Sequence, residues 1–399
     1  MTADRGAATK PRLVTPAFVA LAAATLAFFI AGGLVLPIAP RFADLALNAD
    51  ALGFGVSMGS FSVVSLILRP LVGWSTDRFG RRPLLIGGAI VNVAALALHL
   101  VANDLLVFTI ARGLLGAGEG FFFVAALAAA ADIAPEARRG EAISFLSLSL
   151  YLGIAIGPPI AEAIFAAGSY TAVWIAATMV SAVAVVLALL VPESAPGLSV
   201  APGERPPRGP LIHPAGIFPG IIILLGLWGM AGFLTFLPLY GPEVGLEGVG
   251  LPLTAYALVV VGLRIIGATW PDRFGAARLS GAALAISAVG LTIIGLAPNT
   301  VVLMVGTIVF AAGVAFTMPA LLALAVSRVP PTERGTVVGT ATVFLDIVFG
   351  FAPAVLRFVA EATDFGVTFL VSAGFAAIAA ALLIARRESL ERPLPAASG

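Results

Sequence analysis

Four ionisable side chains stand inside apolar stretches where charge is costly: Arg112, Glu119, Asp346 and the weaker acid Tyr151. An ionised group at bilayer depth costs roughly 2.5 to 3.5 kcal/mol even on insertion scales, which makes each a functional candidate. Arg112 and Glu119 are seven residues apart, so on a helix they share a face about 10 Å apart along the axis. A carboxylate in an apolar cavity can load and release a proton in the physiological range, and a nearby base tunes it. Glu119 is favoured as the carrier because Arg112 shares its face. Asp346 is the other candidate, either as carrier or as a contact for a cationic substrate. The competing reading is that Arg112 and Glu119 neutralise each other and fix helix packing.

The elements that carry these residues follow from composition. Hydrophobic residues make up 60% of the 399 and charged residues 11%, and mean hydropathy is +1.08. An ordinary soluble domain does not look like this. At roughly 20 residues per crossing, the chain accommodates about twelve spanning helices. The apolar runs predict them at 17–39, 52–74, 84–102, 105–131, 141–166, 170–191, 215–240, 251–270, 278–297, 300–327, 335–360 and 365–386.

With the N-terminus placed in the cytoplasm, every basic residue except Arg41, Arg69, Arg112, Arg264 and Arg357 falls in an inward connection or a terminus. That bias fixes both termini as cytoplasmic in a multi-pass protein. Every basic residue is Arg except Lys10, a usage that points to a GC-rich bacterial genome, so the expected location is a bacterial cytoplasmic (inner) membrane. The first apolar run is too long for a signal-peptide core and is read as a retained span.

The chain repeats itself at an offset of 195 positions. Arg69 falls on Arg264, Asp77-Arg78-Phe79-Gly80 on Asp272-Arg273-Phe274-Gly275, Arg139-Gly140 on Arg334-Gly335, Pro135 on Pro330 and Pro158 on Pro353. Under the same offset Asp346 falls on Tyr151. A register held for about ninety residues marks a duplicated unit. The expected fold is therefore an all-α membrane protein of twelve transmembrane helices in two pseudo-symmetric six-helix bundles. Their bounds are read as 1–191 and 215–399, joined by a Pro/Gly-rich cytoplasmic linker at 192–214 that tethers two rocking halves.

Gly73-Trp74-Ser75-Thr76-Asp77-Arg78-Phe79-Gly80-Arg81-Arg82 resembles the signature loop between spans two and three of the major facilitator superfamily. Arg112-Gly113-Leu114-Leu115-Gly116-Ala117-Gly118 resembles that superfamily's fourth-span motif. Gly153-Ile154-Ala155-Ile156-Gly157-Pro158 resembles the Gly-x-x-x-Gly-Pro motif of its bacterial drug/proton antiporters. There are departures. Leu115 stands where a polar residue is usual, the Gly pair after the fifth-span Pro is absent, and the first span has no acidic residue, so coupling through a first-span carboxylate is not available.

The resemblance implies that Asp77 meets the start of span eleven near Gly335, where the positive helix end favours its charge, and that opening the inner face breaks this contact. Gly73 and Gly80 allow tight turning and close backbone approach. Arg78, Arg81 and Arg82 read either as parts of this gate or as anchors among anionic lipids. The second copy keeps Asp272 and Arg273 but has Ala276 and Ala277 in place of the arginine pair, so its latch should be weaker. Asp77→Asn is expected to impair transport far more than Asp272→Asn at equal membrane abundance, and similar losses in a vesicle uptake assay would contradict this.

Tyr151, Trp228, Phe233, Phe236, Tyr240, Phe310 and Phe316 are candidates to line an apolar substrate cavity, with packing between helices as the competing reading. Gly153, Gly157, Pro158 and Pro353 are read as bending the fifth and eleventh spans, the prolines at matching places. There is no cysteine, metal-ligand cluster, phosphate-binding loop, catalytic dyad or triad, or nucleic-acid signature. No enzyme, metal or cofactor is expected, and the chain is taken as a monomer. The partners it implies are a small organic substrate, protons and the lipid bilayer. The leading function is proton-coupled efflux of small amphiphilic organic compounds by antiport. The alternative is a proton symporter importing a sugar, organic acid or other small metabolite.

Overall fold

The computed structural model describes residues 13–135, 138–194, 212–267, 270–326, 329 and 334–391, and among these there is no strand. The spanning helices are α1 (Pro16–Val35), α2 (Ala51–Phe79), α3 (Arg81–His99), α4 (Leu105–Ile133), α5 (Arg139–Ala167) and α6 (Tyr170–Leu189). They are followed by α7, in two segments Pro214–Gly226 and Trp228–Tyr240, then α8 (Gly250–Ile266), α9 (Ala276–Gly295), α10 (Thr300–Val326), α11 (Arg334–Ala362) and α12 (Phe365–Glu391). Eleven are long and apolar enough to cross a membrane, and α8, at 17 residues, is the shorter twelfth. Successive helices run antiparallel, so the start of α1 and the end of α12 lie on one side, here termed the terminal face.

Helix starts on the opposite face carry acidic or amide caps. Asp50 accepts from Gly53 N at 2.8 Å, Asp104 from Val107 N at 2.9 Å, Asn299 from Val302 N at 3.1 Å and Asp364 from Val367 N at 2.9 Å. Each satisfies a backbone donor that the helix itself leaves open, for about 1 kcal/mol. Two structural details depart from the expected spans. The first continues past Val35 through a short helix, Ile38–Arg41, and a π-helical turn, Phe42–Ala46. The seventh breaks at Leu227.

Helices α1 to α6 pack into one bundle and α7 to α12 into the other. The 195-residue offset holds inside them. Gly118 of α4 lies against Gly88 and Asn92 of α3, and Gly313 of α10 lies against Ala283 and Ser287 of α9. Small residues let backbones approach this closely in lipid. The copies differ where Asn92 donates to Ser181 at 2.9 Å, tying α3 to α6. The equivalent residues are Ser287 and Ala376, and the buried Ser287 hydroxyl has no partner. Asn92→Ala should therefore cost about 1 kcal/mol and lower the thermal midpoint by a few degrees in a detergent melt, whereas Ser287→Ala should leave it unchanged or raise it.

Glycines 153 and 157 meet α1 at Phe29 and Gly33. They form a close-packed seam within the first bundle. Pro158 and Pro353 sit inside α5 and α11, and helix continues on both sides of each. Residues 195–211, most of the expected linker, lie outside the described residues, as do the side chains of Asp77, Asp272 and Arg334 and the surroundings of Gly73 and Gly335.

Candidate functional site

The two bundles meet along two seams, α2 against α11 and α8 against α5. Each begins at the opposite face with a backbone approach that only a small residue allows. Gly55 lies against Ala354 and Gly59 against the Gly350 carbonyl, and in the second seam Gly250 lies against Pro159. There the Thr254 hydroxyl donates to the Ala155 carbonyl at 2.6 Å. Deeper in the first seam Arg69 forms an ion pair with Asp346 and donates to Thr342 Oγ1 at 2.9 Å. Deeper in the second, Arg264 Nη2 donates to the Tyr151 hydroxyl at 3.0 Å, and its guanidinium lies 4.5 Å from the centre of that ring.

These contacts are copies of one another. Adding 195 to 55, 59 and 69 gives 250, 254 and 264, and subtracting it from 354, 350 and 346 gives 159, 155 and 151. The seams share a register and differ in chemistry: the deep contact is ionic in one and neutral on the α5 side in the other. Asp346 and Tyr151 are each twelve residues into a 29-residue helix, about 18 Å from the terminal-face end at 1.5 Å per residue.

Glu119 is half-buried on α4, within Coulombic reach of both Asp346 and Arg69. The base that reaches it is thus Arg69, not Arg112. Arg112 makes no ion pair among the described residues. Its guanidinium lies 5.4 Å from the Phe61 ring centre and its buried Nε has no hydrogen-bond partner. Neither mutual neutralisation of Arg112 and Glu119 nor tuning by their shared face describes the arrangement. What sequence reading overlooked was Arg69 as a partner, although the repeat aligned it with Arg264 and aligned Asp346 with Tyr151.

A second ionic layer closes the opposite face. Arg41 Nη1 reaches both Glu162 oxygens, at 3.0 and 3.1 Å, and its Nε donates to the Pro238 carbonyl of the other bundle at 3.2 Å. Glu162 also accepts from Val249 N, at the start of α8, at 3.3 Å. Arg357 pairs with Asp44 at 2.7 Å and covers the Phe54 ring at 5.2 Å. Glu162 and Arg357 are themselves repeat mates, since 162 plus 195 is 357. None of these four charges had been expected to bridge the halves, and only that offset could have singled two of them out.

On the terminal face, Gly80 and Gly275 adopt φ of +94° and +83°, the left-handed region that favours glycine. Glu193 accepts from the backbone N–H of Arg81 at 2.9 Å and of Arg82 at 3.2 Å, closing the start of α3. Arg81 Nε also bonds Asp132 at 3.0 Å and its Nη1 the Thr76 carbonyl at 2.7 Å, while Arg82 Nη2 bonds the Leu189 carbonyl at 2.9 Å. Both arginines are thereby ties within the first bundle, a role beyond lipid anchoring. Arg78 and Arg273 are exposed.

The aromatic candidates do not converge on one wall. Phe233 and Phe310 are fully buried and pack on each other and on Tyr256. Phe236 stacks across the bundles on Phe54, with ring centres 5.6 Å apart. The Tyr240 hydroxyl donates to the Ile294 carbonyl at 3.1 Å, Phe316 stacks on Trp270, and Trp228 leans on Phe375. A groove of about 640 Å³ lined by Pro159, Ile160, Ala163, Ile164, Ala167, Gly168 and Ala172 carries no charged side chain, and none of Arg69, Asp346, Glu119, Arg264 or Tyr151 lines it.

Comparison with known proteins agrees with this architecture. The profile of the Major Facilitator Superfamily matches residues 21–251 and 246–399, and the chain belongs to that superfamily of secondary transporters. An uncharacterized MFS-type transporter of Salmonella typhimurium is 26% identical over 377 residues, covering 91% of this chain and 94% of its own. The uncharacterized MFS-type transporter YhhS of Escherichia coli strain K12 is 24% identical, covering 88% of each. Among solved structures, the human organic anion transporter MFSD10 superposes with a TM-score of 0.71 at 19% identity, over 93% of this chain and 100% of the other. A bacterial homolog of the human lysosomal transporter Spinster, inward-facing and unoccupied, gives 0.78 at 16%, over 96% and 98%. At such identities these likenesses speak for the fold.

Proposed function

We propose that this chain is a proton-coupled antiporter that exports small amphiphilic organic compounds by alternating access, in a bacterial cytoplasmic membrane with both termini in the cytoplasm. The observation that carries the reading is the ionic knot across the first seam, where Asp346 of one bundle pairs with Arg69 of the other and Glu119 stands within reach of both. A proton arriving on Asp346 removes the charge that holds Arg69 and so loosens this seam. Its departure restores the pair. In this reading Glu119, on the first bundle and within Coulombic reach of the pair, passes that proton on or holds it while the seam is open. The opposite-face layer of Arg41, Glu162, Asp44 and Arg357 must part when the site turns outward, so the two sets of charges alternate.

Reconstituted vesicles test this. An imposed pH gradient is applied to vesicles with benzoate or tetraphenylphosphonium as the transported probe, and pyranine reports lumenal protons. Movement of a probe against the direction of proton flow supports the reading. Movement with the protons, or gradient-insensitive flux of both probes, overturns it.

A further inference from the structure

The second seam holds an arginine whose counter-ion is missing. Arg69 has Asp346, but Arg264, its copy, faces Tyr151 where a carboxylate would stand. Arg264 spends its Nε on the Ala315 carbonyl at 3.2 Å and one Nη2 hydrogen on Tyr151, and no carboxylate pairs with it among the described residues. Guanidinium has five N–H donors in a planar fork, so three remain. A full positive charge held inside a membrane protein with spare donors is costly unless something supplies the negative charge.

A second, independent feature lies beside it. Tyr256 of α8 is fully buried, its hydroxyl has no hydrogen-bond partner, and it stands within Coulombic reach of Arg264 and Tyr151. Its ring continues into Phe233 and Phe310, with ring centres 5.2 and 5.9 Å away. The guanidinium fork and the unsatisfied phenol, backed by the buried cluster of Tyr256, Phe233 and Phe310, are complementary to a carboxylate attached to a flat apolar body.

We propose that Arg264, with Tyr151 and Tyr256, is the substrate-anion site, and that the transported compounds are small organic anions, aromatic carboxylates above all. This rests on the transporter reading above and adds the sign of the cargo. The carboxylate takes the place in the second seam that Asp346 fills in the first. It bonds the free Nη1 hydrogens of Arg264 and accepts from the Tyr256 hydroxyl, both on α8, beside Tyr151 of the other bundle, where the protein alone leaves the pairing incomplete. Cations of the same shape are repelled by Arg264.

The test is equilibrium binding to the purified full chain in detergent, by titration calorimetry, with benzoate, benzamide and benzylammonium as probes. Wild type should bind benzoate most tightly and benzylammonium least. Arg264→Gln should weaken benzoate by about tenfold to a hundredfold, the range for a charge-assisted hydrogen bond, and leave benzamide nearly unchanged. Arg264→Lys, which keeps the charge but loses the fork, and Tyr256→Phe should each weaken benzoate severalfold, and they decide the matter if Arg264→Gln does not fold. Benzylammonium binding as tightly as benzoate, no benzoate binding to wild type, or wild-type benzoate affinity in both Arg264→Lys and Tyr256→Phe overturns the proposal. Because no gradient is applied, failure of proton coupling leaves this result standing, and failure here leaves coupling standing.

Discussion

Asp346→Asn is expected to abolish gradient-driven accumulation of probe in vesicles, by at least about a hundredfold, which is roughly 2.7 kcal/mol at 1.36 per decade. Exchange of labelled for unlabelled probe should persist within a few-fold. The asparagine keeps the size of the side chain and can still accept from Arg69, but it can neither take up nor surrender a proton. Coupling is lost while rocking survives. Glu119→Gln should do the same if the proton visits both carboxylates, since Glu119 lies within Coulombic reach of the Arg69–Asp346 pair. Wild-type coupling in both variants would end the antiport mechanism. Arg69→Gln separates pairing from titration: it leaves both acids in place but removes the charge that links the bundles, so its defect should appear in exchange as well as in accumulation.

Gly59→Val should be nearly as damaging through geometry alone. A Cβ at this position would fall on the Gly350 carbonyl of the other bundle, where backbone cannot give way, so α2 and α11 could not close on the opposite face. Transport should fall about a hundredfold while folding is retained in the state where the seam is apart. The absence of native cysteine makes the check clean. Ser62, buried on α2 three residues after Gly59 and so on the same helix face, can be changed to cysteine in both backgrounds, and a membrane-impermeant maleimide should label it faster in the Gly59→Val protein. Equal labelling with normal transport would contradict the closed-seam reading. The repeat mate behaves differently: Thr254 already carries a Cβ, and Thr254→Val removes only its hydroxyl bond to Ala155. Its effect should be a few-fold.

Much of this architecture was legible because hydropathy and the repeat act over long stretches. The helices begin and end within a few residues of the apolar runs, apart from the extension of the first span to Ala46, the later ends of the second at Phe79 and the twelfth at Glu391, and the early end of the eighth at Ile266. The break at Leu227 was not legible, since nothing in Leu225-Gly226-Leu227-Trp228 differs from the glycine-bearing spans that remain continuous. The carriers of charge were found by their cost in lipid, yet their partners were not. Spacing along one helix placed Arg112 with Glu119, whereas the contacts that matter are made across bundles, and which faces meet there is decided by tertiary packing. For the same reason composition could not tell Phe236, stacked between the halves, from Phe233, locked within one of them.

The shared register of the two seams has a wider consequence. Residue i of one half touches residue j of the other wherever the copy of j touches the copy of i, which is the rule of an isologous twofold interface. A single unbroken chain therefore meets itself as two identical subunits would. Strict symmetry would force both interfaces to open and shut with the same chemistry. Fusion into one polypeptide removes that constraint, so one interface could keep an acid at 346 for protons while its twin, with a phenol at 151, is free to receive cargo.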